Sequence, residues 1–214
     1  MSDARAVGWA YGVAVALIVT LAGPLLLFNP WFVSFEQQRH HSAALLAADE
    51  GAIDRVTGTI LGDLFTGGQF AVSLDGQTPL LDAMERSHMR DVGGLVRILA
   101  VVLAAALLVF ALAGSRLRDR RRRRRLLLVA SASVGAAALV LAGVFAVAFE
   151  PAFLAFHRLF FSEGTYLFGP DSNLIKLFPE GFWFESSLAA GATIVLAAVL
   201  VGLRGWRLRS ASRA

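Results

Sequence analysis

Ten residues in the middle of the chain, Arg116 to Arg125, carry eight arginines opposed only by Asp119, and an apolar run long enough to cross a bilayer lies on each side. A block of this kind is retained on the cytoplasmic side of a membrane during insertion. Holding it inside makes the two flanking runs an antiparallel hairpin and sets the direction of every other segment. The composition agrees: 57% of the residues are apolar and the mean hydropathy is +0.64, above the usual range of soluble domains. A net charge of +4 could by itself suggest a nucleic-acid partner. The arginines crowd beside hydrophobic spans, however, and do not mark a folded basic face, so no nucleic acid is expected.

About 20 residues cross the hydrocarbon core as a helix. Four runs meet that length, at 7–28, 92–114, 126–149 and 187–203, the last extending back towards Phe184. A cleaved signal peptide is the rival reading of the first run. Its apolar core would be shorter and small residues would follow it. This run ends instead in Leu25-Leu26-Leu27-Phe28, before Asn29-Pro30-Trp31. The sequence therefore predicts a retained helix that stops at Pro30, with Trp31 at the interface. Arg5, the arginine block and the C-terminal Arg204, Arg207, Arg209 and Arg213 mark three cytoplasmic regions. The segments 29–91 and 150–186 then lie outside. The expected fold is an all-α membrane protein: a single membrane domain over 1–214, built as a four-transmembrane-helix bundle with a small, mainly helical extracytoplasmic cap.

Within the cap, Glu36 to Glu50 reads as an amphipathic helix and Gln69 to Ser73 as a short strand before an Asp75-Gly76 turn. Pro79 to Arg90 has helical spacing, with Pro79 acceptable in the first turn. Leu174, Ile175, Leu177 and Phe178 make a short amphipathic helix, with Asp171 or Ser172 as cap and Pro179 as stop. Arg97, inside the second run, can snorkel or turn into the bundle.

The chain has no cysteine, which removes disulfides, thiolate metal sites and a cysteine nucleophile together. No HExxH, P-loop, GxGxxG or GxSxG pattern occurs, so zincin, nucleotide-binding and serine-hydrolase chemistry lose their usual support. No cofactor or metal is expected. Attention falls on two histidines. His88 lies just before the second span and His157 just after the third. Packed helices of a hairpin run roughly 8–10 Å apart, so the two rings can meet at one depth. Glu85 and Asp91 stand three residues either side of His88, where a helix brings a carboxylate to the ring. The plain alternative is a charged helix end with an exposed His88. His157 sits among Phe156, Phe160 and Phe161; an apolar setting keeps an imidazole neutral and able to take a proton. Its plain alternative is an aromatic belt with a passive histidine. The pair His40-His41 lies in a polar stretch and reads as solvent-exposed.

These residues carry a resemblance. Glu85-x-x-His88-Met89-x-Asp91-Val92, then Phe156-His157-x-Leu159-Phe160-Phe161, then Leu174-Ile175-x-Leu177-Phe178-Pro179-Glu180-x-Phe182-Trp183 look like the signature of the lipoprotein intramolecular transacylase family of four-span bacterial membrane proteins. Tyr166 departs from it, standing where Trp is expected, and Asp171 is an approximate match. The resemblance implies an acyltransferase in the cytoplasmic membrane of a bacterium, with both termini cytoplasmic, acting at the outer leaflet among membrane lipids. Its substrate would be a diacylated lipoprotein. The sn-2 ester of the diacylglyceryl-modified N-terminal cysteine is attacked by that cysteine's own α-amine, giving an N-acyl lyso-lipoprotein.

Such an aminolysis needs a base for the amine proton, a donor for the oxyanion and an acid for the leaving alkoxide. It needs no enzyme nucleophile, because amine and ester belong to one molecule. His157 and His88 are the expected catalytic pair, with their roles open to exchange. Asp91, Glu85 and Arg158 are the expected supporting residues, and Phe160 and Phe161 the expected substrate contacts. The alternative from another class is a non-catalytic membrane scaffold or chaperone that binds a secreted partner. A small transporter has less support, since the spans carry almost no internal charge.

Overall fold

A computed structural model of the chain describes residues 2–162 and 164–207. Arg209 and Arg213 of the expected basic tail lie outside the described residues. Among those residues the regular structure is helical, and the only strand-like pairing is an isolated bridge between Ser73 and Pro79. The helices are α1 (Ser2–Leu26), α2 (Pro30–Arg39), α3 (Ser42–Leu45), α4 (Glu50–Thr66), α5 (Ala83–Arg116), α6 (Arg120–Val147), α7 (Phe149–Phe160), α8 (Asn173–Leu177) and α9 (Glu180–Arg207). Four of them, α1, α5, α6 and α9, are long and apolar enough to cross a membrane. Only 6–22% of their most apolar stretches is buried within the protein. Val101, Leu108 and Val140 are among the large apolar side chains left facing outward, which suits hydrocarbon and not water.

The chain forms two compact units. The first takes in the described residues of Met1–Leu26, Leu99–Gly143 and Ala189–Ala214. Its core joins all four long helices through Tyr11, Val15 and Val19 of α1, Ala113 of α5, Leu127 of α6 and Ala198 of α9. Tyr11 stacks on Phe110 with ring centroids 5.1 Å apart, and its hydroxyl accepts a hydrogen bond from Arg123 Nε at 3.1 Å. One arginine of the central block is thus tied to the core. Asp119 accepts from the backbone N–H groups of Arg121 and Arg122 at 2.9 and 3.2 Å, so the lone acid in the block caps α6. Gly23 permits the close approach of α1 to α9, because a Cβ there would collide with the Thr193 side chain.

The second unit comprises Leu27–Ile98 and Val144–Leu188. It is organised around a buried amide. Gln37, 1% exposed, donates from Nε2 to the Leu177 carbonyl at 3.1 Å and accepts from Thr57 Oγ1 at 2.8 Å. The same carbonyl accepts from Ser42 Oγ at 3.0 Å. This explains why the expected Glu36–Glu50 helix is broken between α2 and α3. Residues five apart point about 140° from each other on a straight helix, so Gln37 and Ser42 could not both reach one oxygen. The chain breaks at His40-His41, with His41 in the left-handed region at φ 57°, and α3 then starts on a new heading.

Other boundaries move for equally local reasons. Pro30 does not merely end α1; it opens α2, with Asn29 as its cap. The expected strand at 69–73 does not form. Phe70 turns into the core at φ 53°, its N–H donating to Asp63 Oδ2 at 2.7 Å. Pro79 pairs across the bridge, and α5 starts at Ala83. Asp82 and Glu85 form a reciprocal capping box there, each carboxylate accepting the other's N–H at 2.8 Å. The helix then runs without interruption through the expected second span. Arg97 turns inward and donates to the Leu64 carbonyl at the end of α4, at 3.1 Å. The break between α6 and α7 follows from Pro151, which cannot donate to the Val147 carbonyl as a continuous helix requires.

Gln37→Ala should strand the Thr57 hydroxyl in the core and remove one donor from Leu177. The expected loss is about 2–3 kcal/mol of stability, read from chemical denaturation of the purified protein in detergent. A loss under about 0.5 kcal/mol, the level of an ordinary surface substitution, would show that the amide does not hold this unit together.

Candidate active site

His88 lies one turn into α5 from its capping box, and His157 in the last turn of α7. Both belong to the second unit. Their rings stack with centroids 5.8 Å apart and planes 25° apart. The approach expected from the sequence is therefore present, although His157 is carried by a short helix of its own and not by the third span.

The residues around each ring differ. His88 is 7% exposed. Phe161 meets it edge-on at 5.0 Å and Phe168 at 5.5 Å. Its Nδ1 is buried without a hydrogen-bond partner among the described residues, which leaves Nε2 as the free ring nitrogen. His157 packs against Phe153 at 4.3 Å, Tyr166 at 5.3 Å and Phe161 at 5.4 Å. Its Nδ1 lies 2.8 Å from the Phe153 carbonyl, one turn back on α7. A carbonyl can only accept, so Nδ1 carries the hydrogen and Nε2 keeps its lone pair in the neutral ring. Burial holds this imidazole below its ordinary value, and the Phe153 carbonyl partly offsets that. His157 is a neutral ring with its basic nitrogen defined by the backbone.

The two histidines line a cleft of about 330 Å³. Phe149, Phe153, Leu154, Leu174 and Phe178 give it a mostly apolar wall, and Glu150 and Glu180 add two carboxylates. Trp183 of α9 also lines it. A mostly apolar wall with a few convergent polar groups is the usual make-up of a small-molecule site.

The expected supporting residues are placed differently from one another. Glu85, 3% exposed, makes no hydrogen bond to His88. One of its oxygens serves the Asp82 N–H, and the other accepts from Ser172 Oγ and from the Leu174 N–H at 2.9 Å. It ties the start of α8 to the start of α5, and so joins the His88 helix to a wall of the cleft. Asp91 is exposed and makes no ion pair with His88. Arg158 is exposed, with no ion pair among the described residues. Phe161 packs on both histidines, while Phe160 contacts Phe156 at 4.9 Å and is half exposed. His40, expected in solvent, is half-buried beside Glu36 and Glu185; His41 is exposed. Phe168 and the Phe153 carbonyl were not singled out from the sequence. The spacing of four between Phe153 and His157 was a usable signal for the second, and the first had none.

Comparison with known proteins bears on the family and the fold. The family model described as lipoprotein intramolecular transacylase Lit matches residues 10–183. A structure of the membrane integral lipoprotein intramolecular transacylase Lit from Bacillus cereus superposes with a TM-score of 0.88 at 20% identity, covering 99% of this chain and 98% of that one. A structure of the same Bacillus cereus protein with a histidine mutation gives 0.80 at 20% identity, covering 99% and 94%. At this identity the likeness speaks for the fold. Curated protein sequences yield no match.

In a titration of ¹³C-labelled imidazoles by NMR, His157 should titrate below 6.5. The folded value is then below the unfolded one. Stability linked to this ring is present above pH 6.5 and is lost as the pH falls through the window beneath it, because the unfolded chain takes up the proton first. A His157 value at or above 6.5 contradicts the buried, neutral ring.

Proposed function

The chain belongs to the lipoprotein intramolecular transacylase family, and from that membership we propose that His157 and His88 catalyse transfer of the sn-2 acyl chain of a diacylglyceryl-modified N-terminal cysteine to that cysteine's α-amine. An acyltransferase of the membrane replaces the scaffold and transporter alternatives. The observation that carries the histidine reading is the stacked pair on one cleft wall, with the His157 tautomer set by the Phe153 carbonyl.

The amine nitrogen attacks the ester carbonyl and a C–N bond forms. His157 Nε2 takes the proton that the nitrogen sheds. The free nitrogen of His88 donates a hydrogen bond to the oxyanion when it carries the ring hydrogen. The bond between the carbonyl carbon and the sn-2 oxygen breaks, and His157 returns its proton to that oxygen. No net proton is consumed, which suits a single imidazole acting first as base and then as acid. Amine and ester arrive already joined, so holding them in one cleft supplies much of the acceleration. The apolar wall takes the acyl chain, Phe161 keeps water from both rings, and Glu150 and Glu180 suit the positive charge of an unreacted α-ammonium. Glu85 acts by position, through the start of α8. Arg158, Asp91 and Phe160 are left at the periphery of this scheme.

Direction in the membrane follows from the arginine block. His88 precedes the second apolar run and Arg116 follows it. With the arginines cytoplasmic, the histidines meet the outer leaflet, and both termini lie inside. Lipoproteins that receive their lipid at that leaflet present the N-terminal cysteine there.

His157→Ala should abolish N-acylation while the protein still inserts. Mass spectrometry of a lipoprotein's N-terminal peptide reads this directly, and a fully active variant sinks the assignment. The absence of cysteine makes the topology equally testable. In intact cells or spheroplasts, Asp75→Cys should react with a membrane-impermeant maleimide, and Ser115→Cys should react only after the membrane is opened. The reverse pattern places the histidines on the wrong side for this substrate.

A further inference from the structure

Away from the histidine cleft, three ligating side chains converge. Glu36 and His40 lie one turn apart at the end of α2, and Glu185 lies in the second turn of α9. One ligand atom from each falls within 4.8 Å of the others. His40 Nε2 is 3.5 Å from Glu185 Oε1 and 3.8 Å from Glu36 Oε2. Tetrahedral ligands at about 2.0–2.1 Å from a zinc ion stand near these separations from one another.

Two further observations point to a ligand. Glu36 is 5% exposed, yet its Oε2 has no hydrogen-bond partner, and neither has the buried Nε2 of His40. These are the two atoms that face each other. A buried carboxylate oxygen and a buried ring nitrogen left without a hydrogen bond are costly, and one bound cation satisfies both. The third observation is the seat of the His40 ring. It rests against the backbone of Gly181 in the first turn of α9, where any Cβ would collide with the imidazole. The ring is thereby held across from Glu185.

We propose that Glu36, His40 and Glu185 form a binding site for a divalent transition-metal ion, with zinc the ion that their nitrogen-and-two-oxygen donor set suits. Water fills the remaining coordination position. Arg39 Nη2 contacts Glu185 Oε1 at 2.9 Å and Oε2 at 2.8 Å, holding that carboxylate as an outer partner commonly holds a metal ligand. Arg39 also partly opposes the cation, so the site favours an ion bound through donor bonds over one held by charge alone. The site clamps the end of α2 to the start of α9, two residues beyond Trp183 of the histidine cleft. It does not depend on which histidine performs the acyl transfer.

Untagged protein, stripped with a chelator and titrated with Zn²⁺ against a chromophoric competitor, should take up one ion in this site and show a higher melting temperature. Glu36→Gln and His40→Gln should each weaken that binding by well over tenfold, and Arg39→Ala by about tenfold. Glu185→Gln, at a more exposed position, keeps the test open if a buried variant misfolds. His157→Ala should bind as the parent does, which separates this site from the histidine cleft. The proposal is overturned by the absence of stoichiometric binding, by binding that survives Glu36→Gln in folded protein, or by loss of binding in His157→Ala alone. A metal-free rise in melting temperature for Glu36→Gln without zinc uptake would overturn it too, and would assign the pair of carboxyls to a shared proton.

Discussion

One buried carboxylate connects the parts of the cleft. Glu85 caps its own helix through Asp82 and receives the Ser172 hydroxyl and the Leu174 N–H from a segment almost ninety residues further along. Nearly every lone pair it can offer is directed at a donor, as its near-complete burial requires. His88 follows it by one turn on a rigid helix, and Leu174 of the cleft wall hangs from its other oxygen. Take away those bonds and the ring and the wall lose their common anchor. The Gln37 amide does the same for α2, α3 and α4, fixing them on the last turn of α8 through the Leu177 carbonyl. Helix α8 is only five residues long and would not form alone. It exists because both networks converge on its two ends.

This framework bears on why a neutral histidine pair suits the proposed acid–base role. Phe153, Phe161, Phe168 and Tyr166 exclude water from the rings, and desolvation disfavours the imidazolium. A carboxylate beside either ring would do the opposite and raise its basicity towards a permanent proton. The structure instead gives His157 a backbone carbonyl, which orients the ring with far less charge. Orientation and neutrality are obtained together. The same low polarity would favour the acyl chain of the proposed substrate, so that binding and base chemistry would draw on one apolar surface.

Much of this was legible in the residues. The arginine block and the four apolar runs announce four long helices, because a bilayer-length apolar run has few other soluble fates. His88 and His157 stood out through their positions at the ends of a predicted hairpin. Less legible were the breaks. Pro151 signals the start of a separate α7, yet it lies just past the run at 126–149, where apolar residues on both sides hide the interruption. The turn at His40-His41 has no local signal, since its cause is a carbonyl at Leu177. Glu85 was read as a partner of His88 from its spacing of three on a helix. Two such residues do share a face, but a carboxylate buried on that face takes the strongest unpaired donors within reach, and these came from Ser172 and Leu174.

The chain by itself determined its solvent and its number of long helices, because hydrophobic length and charge asymmetry act along the sequence and need no partner. It also placed His157 among phenylalanines. Only the tertiary structure decided which nitrogen of His157 is basic in the neutral ring, what Glu85 holds, and that Glu36, His40 and Glu185 meet. Those outcomes depend on groups brought together from distant positions or on one turn's hydrogen-bond geometry. Burial then forces each polar atom to take whichever partner the packing supplies.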